Sequence, residues 1–161
     1  MTVAFTCTTT TTVGQADLFD RSRSIDAHTG SMRFSRERAV AGVTSGLIGL
    51  GEYVTWRAWH FGVPVRMTSV ITEFDAPHRF VDEQRTGPFR DFRHVHEFSE
   101  ADGITTMVDR IRFTAPFGVV VADRPGDGAE TGAFTVLGVV GPAEVARAAS
   151  TVPSPRSWQA G

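Results

Sequence analysis

Four residues hold most of the chemistry this chain could do: His94, His96, Asp82 and Asp109. In Phe92-Arg93-His94-Val95-His96-Glu97-Phe98 every second residue is aromatic or imidazole, so on a strand Phe92, His94, His96 and Phe98 share one face. Met107, Asp109, Ile111 and Phe113 alternate in the same way on the segment that follows, and Phe80 and Asp82 on the segment before. The first two sets are the more apolar halves of their segments and are expected to point inward. Trp56 and His60, with Met67 and Ile71 opposite them, extend this face, giving a lining that is aromatic and apolar with a few ionisable groups set into it.

Several roles fit that set. The histidines can simply be hydrogen-bonded to Asp82 or Asp109 on neighbouring strands and satisfy buried polarity. They can form the polar end of a binding pocket without turnover, which is the preferred function. They can also do acid–base catalysis. Imidazole moves protons at neutral pH, a nearby aspartate can fix its tautomer, and dehydration or aldol cyclisation of a bound ligand needs little more. Finally, His94-x-His96 places two imidazoles on one strand face, and an aspartate could add a third metal ligand. A two-residue motif is weak evidence, so no metal and no cofactor is expected.

The elements that must position these residues read as strands. Gly51 to Phe74 holds two of the three tryptophans and is rich in β-branched residues, interrupted only by Gly62-Val63-Pro64, which suggests two long strands joined by a reversal there. Turn signals at Asp75 to His78, Thr86 to Pro88 and Ala101 to Gly103 recur about every eleven residues, the spacing of an antiparallel meander. The strands between them are Arg79 to Arg85, Phe89 to Glu100 and Ile104 to Thr114. With a strand in Ser35 to Gly42 this makes six, and Val3, Phe5 and Cys7, alternating into the threonine run, make seven. Val13 to Ser24 reads as one or two helical turns with Ala16, Leu18 and Phe19 as apolar contacts, and Ser24 to His28 as their continuation or exit. Glycines 42, 46, 49 and 51 form a loop or bulge feeding the hairpin, since no Gly-Lys-Ser/Thr ends the run and strand rather than helix follows.

Composition bounds the rest. With 161 residues, 41% apolar and 21% charged, the chain has the material for one folded domain. A net charge of −2 gives no reason to expect nucleic acid as a partner. All sixteen basic residues are arginine, which excludes Schiff-base chemistry on lysine. Arg33, Arg36, Arg38, Arg85, Arg90 and Arg93 read as solvated faces. Cys7 is the single cysteine and reads as a small core residue. No stretch approaches the roughly 18 apolar residues of a membrane span, so a cytoplasmic protein without a transmembrane segment is expected. Trp56 and Trp59, three apart, face opposite sides of a strand; one of them is therefore on the outer face, which keeps a homodimer open.

The order of one strand, short helices and a six-strand meander resembles the START-like, or helix-grip, fold of the SRPBCC superfamily, which includes the birch-pollen allergen, polyketide cyclases and lipid-carrying START domains. The wording resembles one bacterial ligand-binding branch more closely. That resemblance rests on Ala39 to Glu52, Val54 to Gly62, Phe80 to Glu83, Gly87 to Phe89, His94 to Phe98, Asp109 and Ala115 to Gly118. It covers about residues 1–118. It implies an α+β fold with a curved antiparallel sheet, and a cavity for a hydrophobic or aromatic small molecule such as a lipid, polyketide or isoprenoid. Trp56, His60, Met67, Ile71, Phe80, Phe92, Phe98, Met107, Ile111 and Phe113 would line it. It implies, as the alternative, a cyclase/dehydratase-like enzyme using His94 or His96 with Asp82 or Asp109; a non-catalytic interaction module is the third class. The long C-terminal helix of such proteins has no counterpart in residues 119–161, a Gly/Pro-rich tail that reads as a divergent lid or an altered reading frame, with Ala133 to Val140 and Pro142 to Ala149 as its only regular stretches.

Overall fold

The computed structural model describes residues 2–31, 37–60 and 63–114, with side chains for all of these except 31, 59, 60 and 63. The tail expectations, and the side chain of His60, lie outside the described residues.

Strand β1 (Thr2–Thr11) leads into helices α1 (Gln15–Ser22) and α2 (Ile25–Ser31). Six more strands follow: β2 (Arg38–Gly42), β3 (Tyr53–His60), β4 (Val63–Asp75), β5 (Arg79–Thr86), β6 (Asp91–Ala101) and β7 (Ile104–Thr114). They form one open, curved antiparallel sheet in the order β1-β7-β6-β5-β4-β3-β2. The helices thus carry the chain from one edge strand to the other, and the meander walks back until β7 pairs with β1 from Thr2↔Thr114 to Thr11↔Thr105. The threonine run is strand, as its β propensity suggests.

One turn differs from expectation. Val63 and Pro64 already belong to β4, paired with His60 and Trp59. Proline is tolerated there because β5 joins β4 only from Thr68 onward, so at Pro64 the other side of β4 has no strand demanding an N–H. The glycine-rich run is a loop that ties helices to sheet. Ile25 N–H donates to the Gly46 carbonyl (2.9 Å) and Gly46 N–H to the Asp26 carboxylate (2.8 Å). Gly42 has φ +75°, and a Cβ there would sit 2.1 Å from the Tyr53 carbonyl oxygen, so this position requires glycine.

The two faces of the sheet are built differently. Outward, Arg93 pairs with Glu83 (2.6 Å) and Glu73, Arg79 with Glu73, and Arg110 with Glu97. Inward, α1 lays Leu18 and Phe19 onto the sheet. The Phe19 ring meets Phe74, Phe80 and Phe98 edge-on at centroid distances of 5.4, 5.5 and 5.3 Å. The start of α1 is pinned from below, where the Gln15 side-chain amide donates to the carbonyls of Pro77 (3.0 Å) and Phe98 (3.2 Å). Because Phe19 is fully enclosed by three rings from three strands, Phe19→Ala is expected to cost about 3–5 kcal/mol in urea denaturation. A loss under about 1 kcal/mol would mean that α1 is not seated on the sheet in solution.

Candidate functional site

The register of the three central strands assembles the site. Asp82 on β5 stands directly opposite His94 on β6, and His96, two residues along, stands directly opposite Asp109 on β7. Residues paired in this way point to the same face, so the four side chains form a two-by-two block in which each imidazole neighbours both carboxylates. His94 Nε2 lies 3.0 Å from Asp109 Oδ1, and His94 Nδ1 lies 3.7 Å from Asp82 Oδ2. His96 Nε2 lies 3.1 Å from Asp82 Oδ2. His96 Nδ1 lies 2.7 Å from Asp109 Oδ1, but off the direction of a hydrogen bond, so the ring nitrogen and Asp109 Oδ2 are both buried without an aligned partner. The imidazole rings are 3.7 Å apart, and His96 also stacks on Phe80 at 4.1 Å.

The sequence-predicted site residues fall on either side of this block. Trp56, Ile71, Phe80, Phe98 and Met107 pack with Leu18, Phe19 and Ile25 in one apolar cluster beneath the helices. Phe92, Ile111 and Phe113 form a second cluster with Phe89, and Met67, Val3 and Phe5 pack against it. Neither α1 nor α2 contributes a residue to the second cluster. Sequence reasoning missed three participants. Phe89 lies in the turn before β6, where Gln84 Nε2 donates to its carbonyl (2.7 Å). His28 stacks on Trp56 at 4.2 Å, and its Nε2 is 3.5 Å from the buried Glu37 carboxylate. The His28–Trp56 stack joins distant segments and leaves no local pattern to read.

Burial and charge divide the four groups. Burial opposes ionisation of Asp109 and Asp82, but hydrogen bonds from the histidines and their positive charge hold both carboxyls below their ordinary range. Burial also opposes a charged His96; the close approach of Asp109, the hydrogen bond to Asp82 and the negative charge of both overcome it and push this imidazole up to about 9. For His94, burial and then the neighbouring His96 charge prevail over the carboxylates and lower it. At neutral pH the block therefore holds two carboxylates, one imidazolium and one neutral imidazole. Cys7, opposite Asp109 on β1, has its thiol raised by burial and then by the Asp109 charge, which is the wrong direction for a nucleophile.

No protein-family model matches the chain, and no curated protein does. Solved structures do. The crystal structure of Ara h 8.0201 superposes with a TM-score of 0.58 at 14% identity, covering 76% of this chain and 84% of that one. An aromatase/cyclase from a Streptomyces species gives 0.57 at 13% identity, covering 74% and 72%. A protein from Thermus thermophilus gives 0.58 at 13% identity, covering 73% and 77%. At such identities the likeness concerns the fold alone, and the seven-stranded sheet with two short helices matches the helix-grip fold. Among the described residues no helix is long and apolar enough to cross a membrane.

The protonation pattern fixes a pH dependence. The raised His96 contributes stability that is complete below its ordinary value of 6.5 and is lost as pH rises through about 9. The lowered His94 works in the opposite sense and costs stability as pH falls below 6.5. The lowered carboxylates contribute above about 3.8 and lose their contribution as pH falls below it. With EDTA present, so that only protons compete for these atoms, the urea midpoint is expected to peak near pH 6.5 and to fall toward both pH 9 and pH 4. In His96→Gln the alkaline fall should flatten. A wild-type midpoint unchanged from pH 6.5 to 9 would show that His96 is not charged in the folded state.

Proposed function

We propose that the concave face binds a largely apolar, aromatic small molecule whose polar end meets the His94–His96–Asp82–Asp109 block. The observation that supports this is placement. A buried ionisable block sits beside an aromatic cluster that neither α1 nor α2 packs against, which is how a pocket for an apolar body with one polar end is built. The charge inventory narrows the ligand. Two carboxylates against one imidazolium leave the block net negative, which favours a hydroxyl or phenol that can donate a hydrogen bond and disfavours a carboxylate. A polyhydroxylated or phenolic ligand of polyketide type fits better than a free fatty acid.

A second reading, cyclase- or dehydratase-like turnover, is favoured by one feature. Two imidazoles 3.7 Å apart are held in different protonation states, so the neutral His94 can accept a proton while the charged His96 donates one to a leaving hydroxyl. One protein of this fold is named as an aromatase/cyclase.

The deciding experiment is native mass spectrometry of the full chain titrated with 1-naphthol and, separately, with 1-naphthoate. One equivalent of 1-naphthol is expected, about tenfold tighter than the carboxylate, equivalent to about 1.4 kcal/mol. Phe92→Ala should weaken both probes, while Arg110→Ala on the outer face should weaken neither. Saturable binding of neither probe, or preference for the carboxylate, overturns the proposal. Turnover of a bound β-hydroxyketone that is lost in His94→Ala with binding retained would establish the second reading.

A further inference from the structure

The geometry points to a divalent transition-metal site of the zinc class at the same block, with His94 Nδ1, His96 Nε2 and Asp82 Oδ2 as the three protein ligands and Asp109 as the carboxylate that orients both imidazoles. The inference shares a location with the ligand pocket but does not require that an apolar ligand binds. Its first support is distance. Asp82, His94 and His96 each offer one ligand atom, all within 4.8 Å of one another. A tetrahedral ion about 2.0–2.1 Å from its ligands holds them about 3.3–3.4 Å apart. Asp82 Oδ2 lies 3.1 Å from His96 Nε2 and 3.7 Å from His94 Nδ1, on either side of that separation.

The second support is what the remaining ring nitrogens do. A metal-bound histidine gives its other N–H to a carboxylate or carbonyl, which fixes tautomer and orientation. Here both spare nitrogens, His94 Nε2 at 3.0 Å and His96 Nδ1 at 2.7 Å, turn to one oxygen of Asp109, itself 1% exposed. One carboxylate thus holds both rings by the edge away from Asp82. Without an ion the arrangement is imperfect. When His94 donates through Nε2, its Nδ1 presents a lone pair to the Asp82 carboxylate, acceptor against acceptor. A cation between those atoms resolves the conflict and takes the place of the proton between His96 Nε2 and Asp82.

Two imidazole nitrogens and one carboxylate oxygen suit zinc, cobalt or ferrous iron rather than magnesium or calcium, which take oxygen shells. Three protein ligands leave a fourth position open, the arrangement of sites that bind water or substrate at the metal.

The test uses the full chain, stripped with EDTA, dialysed and titrated with Co²⁺ and then Zn²⁺. One equivalent of Co²⁺ is expected, with the visible absorption of a four- or five-coordinate ion, displaced by Zn²⁺. His94→Ala and Asp82→Asn should each abolish the band, and Asp109→Asn should weaken affinity about 10–100-fold. His78→Ala, remote from the block, should leave it unchanged. Circular dichroism identifies a variant that has unfolded, and the partly exposed Asp82→Asn serves if His94→Ala does. No Co²⁺ band in the wild type, or a band that survives in a folded His94→Ala or Asp82→Asn protein, overturns the site. Cobalt uptake without naphthol binding would sink the pocket and keep the metal; the reverse would do the opposite.

Discussion

Everything at this site depends on strand register across β5, β6 and β7. Asp82 faces His94 and His96 faces Asp109 because those residues are direct antiparallel partners. A slip of β6 by one residue would turn His94 and His96 to the other face, where Arg79, Arg93 and Arg110 meet Glu73, Glu83 and Glu97. The two faces thus enforce the same register from opposite sides. The shift would drive Arg93 and Glu97 of the outer ladder into the apolar interior, and Phe92 and Phe98 into water. Exposed ion pairs add little stability one by one, but burying such charges is costly, so they discriminate between registers.

The inner face is divided between two tasks. One part is covered by α1, which seats Phe19 among Phe74, Phe80 and Phe98. The other part gathers Phe89, Phe92, Ile111 and Phe113 without a residue from α1 or α2. The ionisable block lies on the boundary, with His96 stacked on Phe80 from the first cluster and His94 edge-on to Phe92 from the second. Packing under α1 therefore fixes one imidazole directly and the other through it, giving the site a rigid wall on one side.

How much of this was legible in the sequence follows from which interactions are periodic. Period-two alternation in β6 and β7 gave the inward faces of His94, His96 and Asp109, and turn residues at near-equal spacing gave the meander, because both depend on neighbours within a few positions. The direct pairing of Asp82 with His94 needed register, which alternation does not supply. The division of the predicted lining into a cluster under α1 and a second one beyond it depends on where Phe19 lands, a contact between residues far apart in sequence, Phe19 and Phe80. The His28–Trp56 stack had no local signal at all. Pro64 misled the placement of the reversal, because proline reads as a breaker unless one knows that its strand is unpaired on that side.

The block is hard to explain as a device for stability. Four ionisable side chains in an apolar interior carry a desolvation penalty that their mutual attraction only partly offsets, and apolar residues of similar volume commonly serve a core as well or better. Even the pairing is incomplete, since His96 Nδ1 and Asp109 Oδ2 lack aligned partners and His94 Nδ1 faces a carboxylate. Nor does the fold require it, because Phe19 and its aromatic neighbours already hold the helix to the sheet. A costly, imperfectly paired group next to a buried aromatic cluster is best explained by something that completes it, such as a donor hydroxyl, a metal ion or both at once. An ion held by His94, His96 and Asp82 with one open position would convert a net negative block into a Lewis-acidic floor under the second cluster. The same four residues would then bind phenols through acceptor oxygens when empty and through the metal when filled.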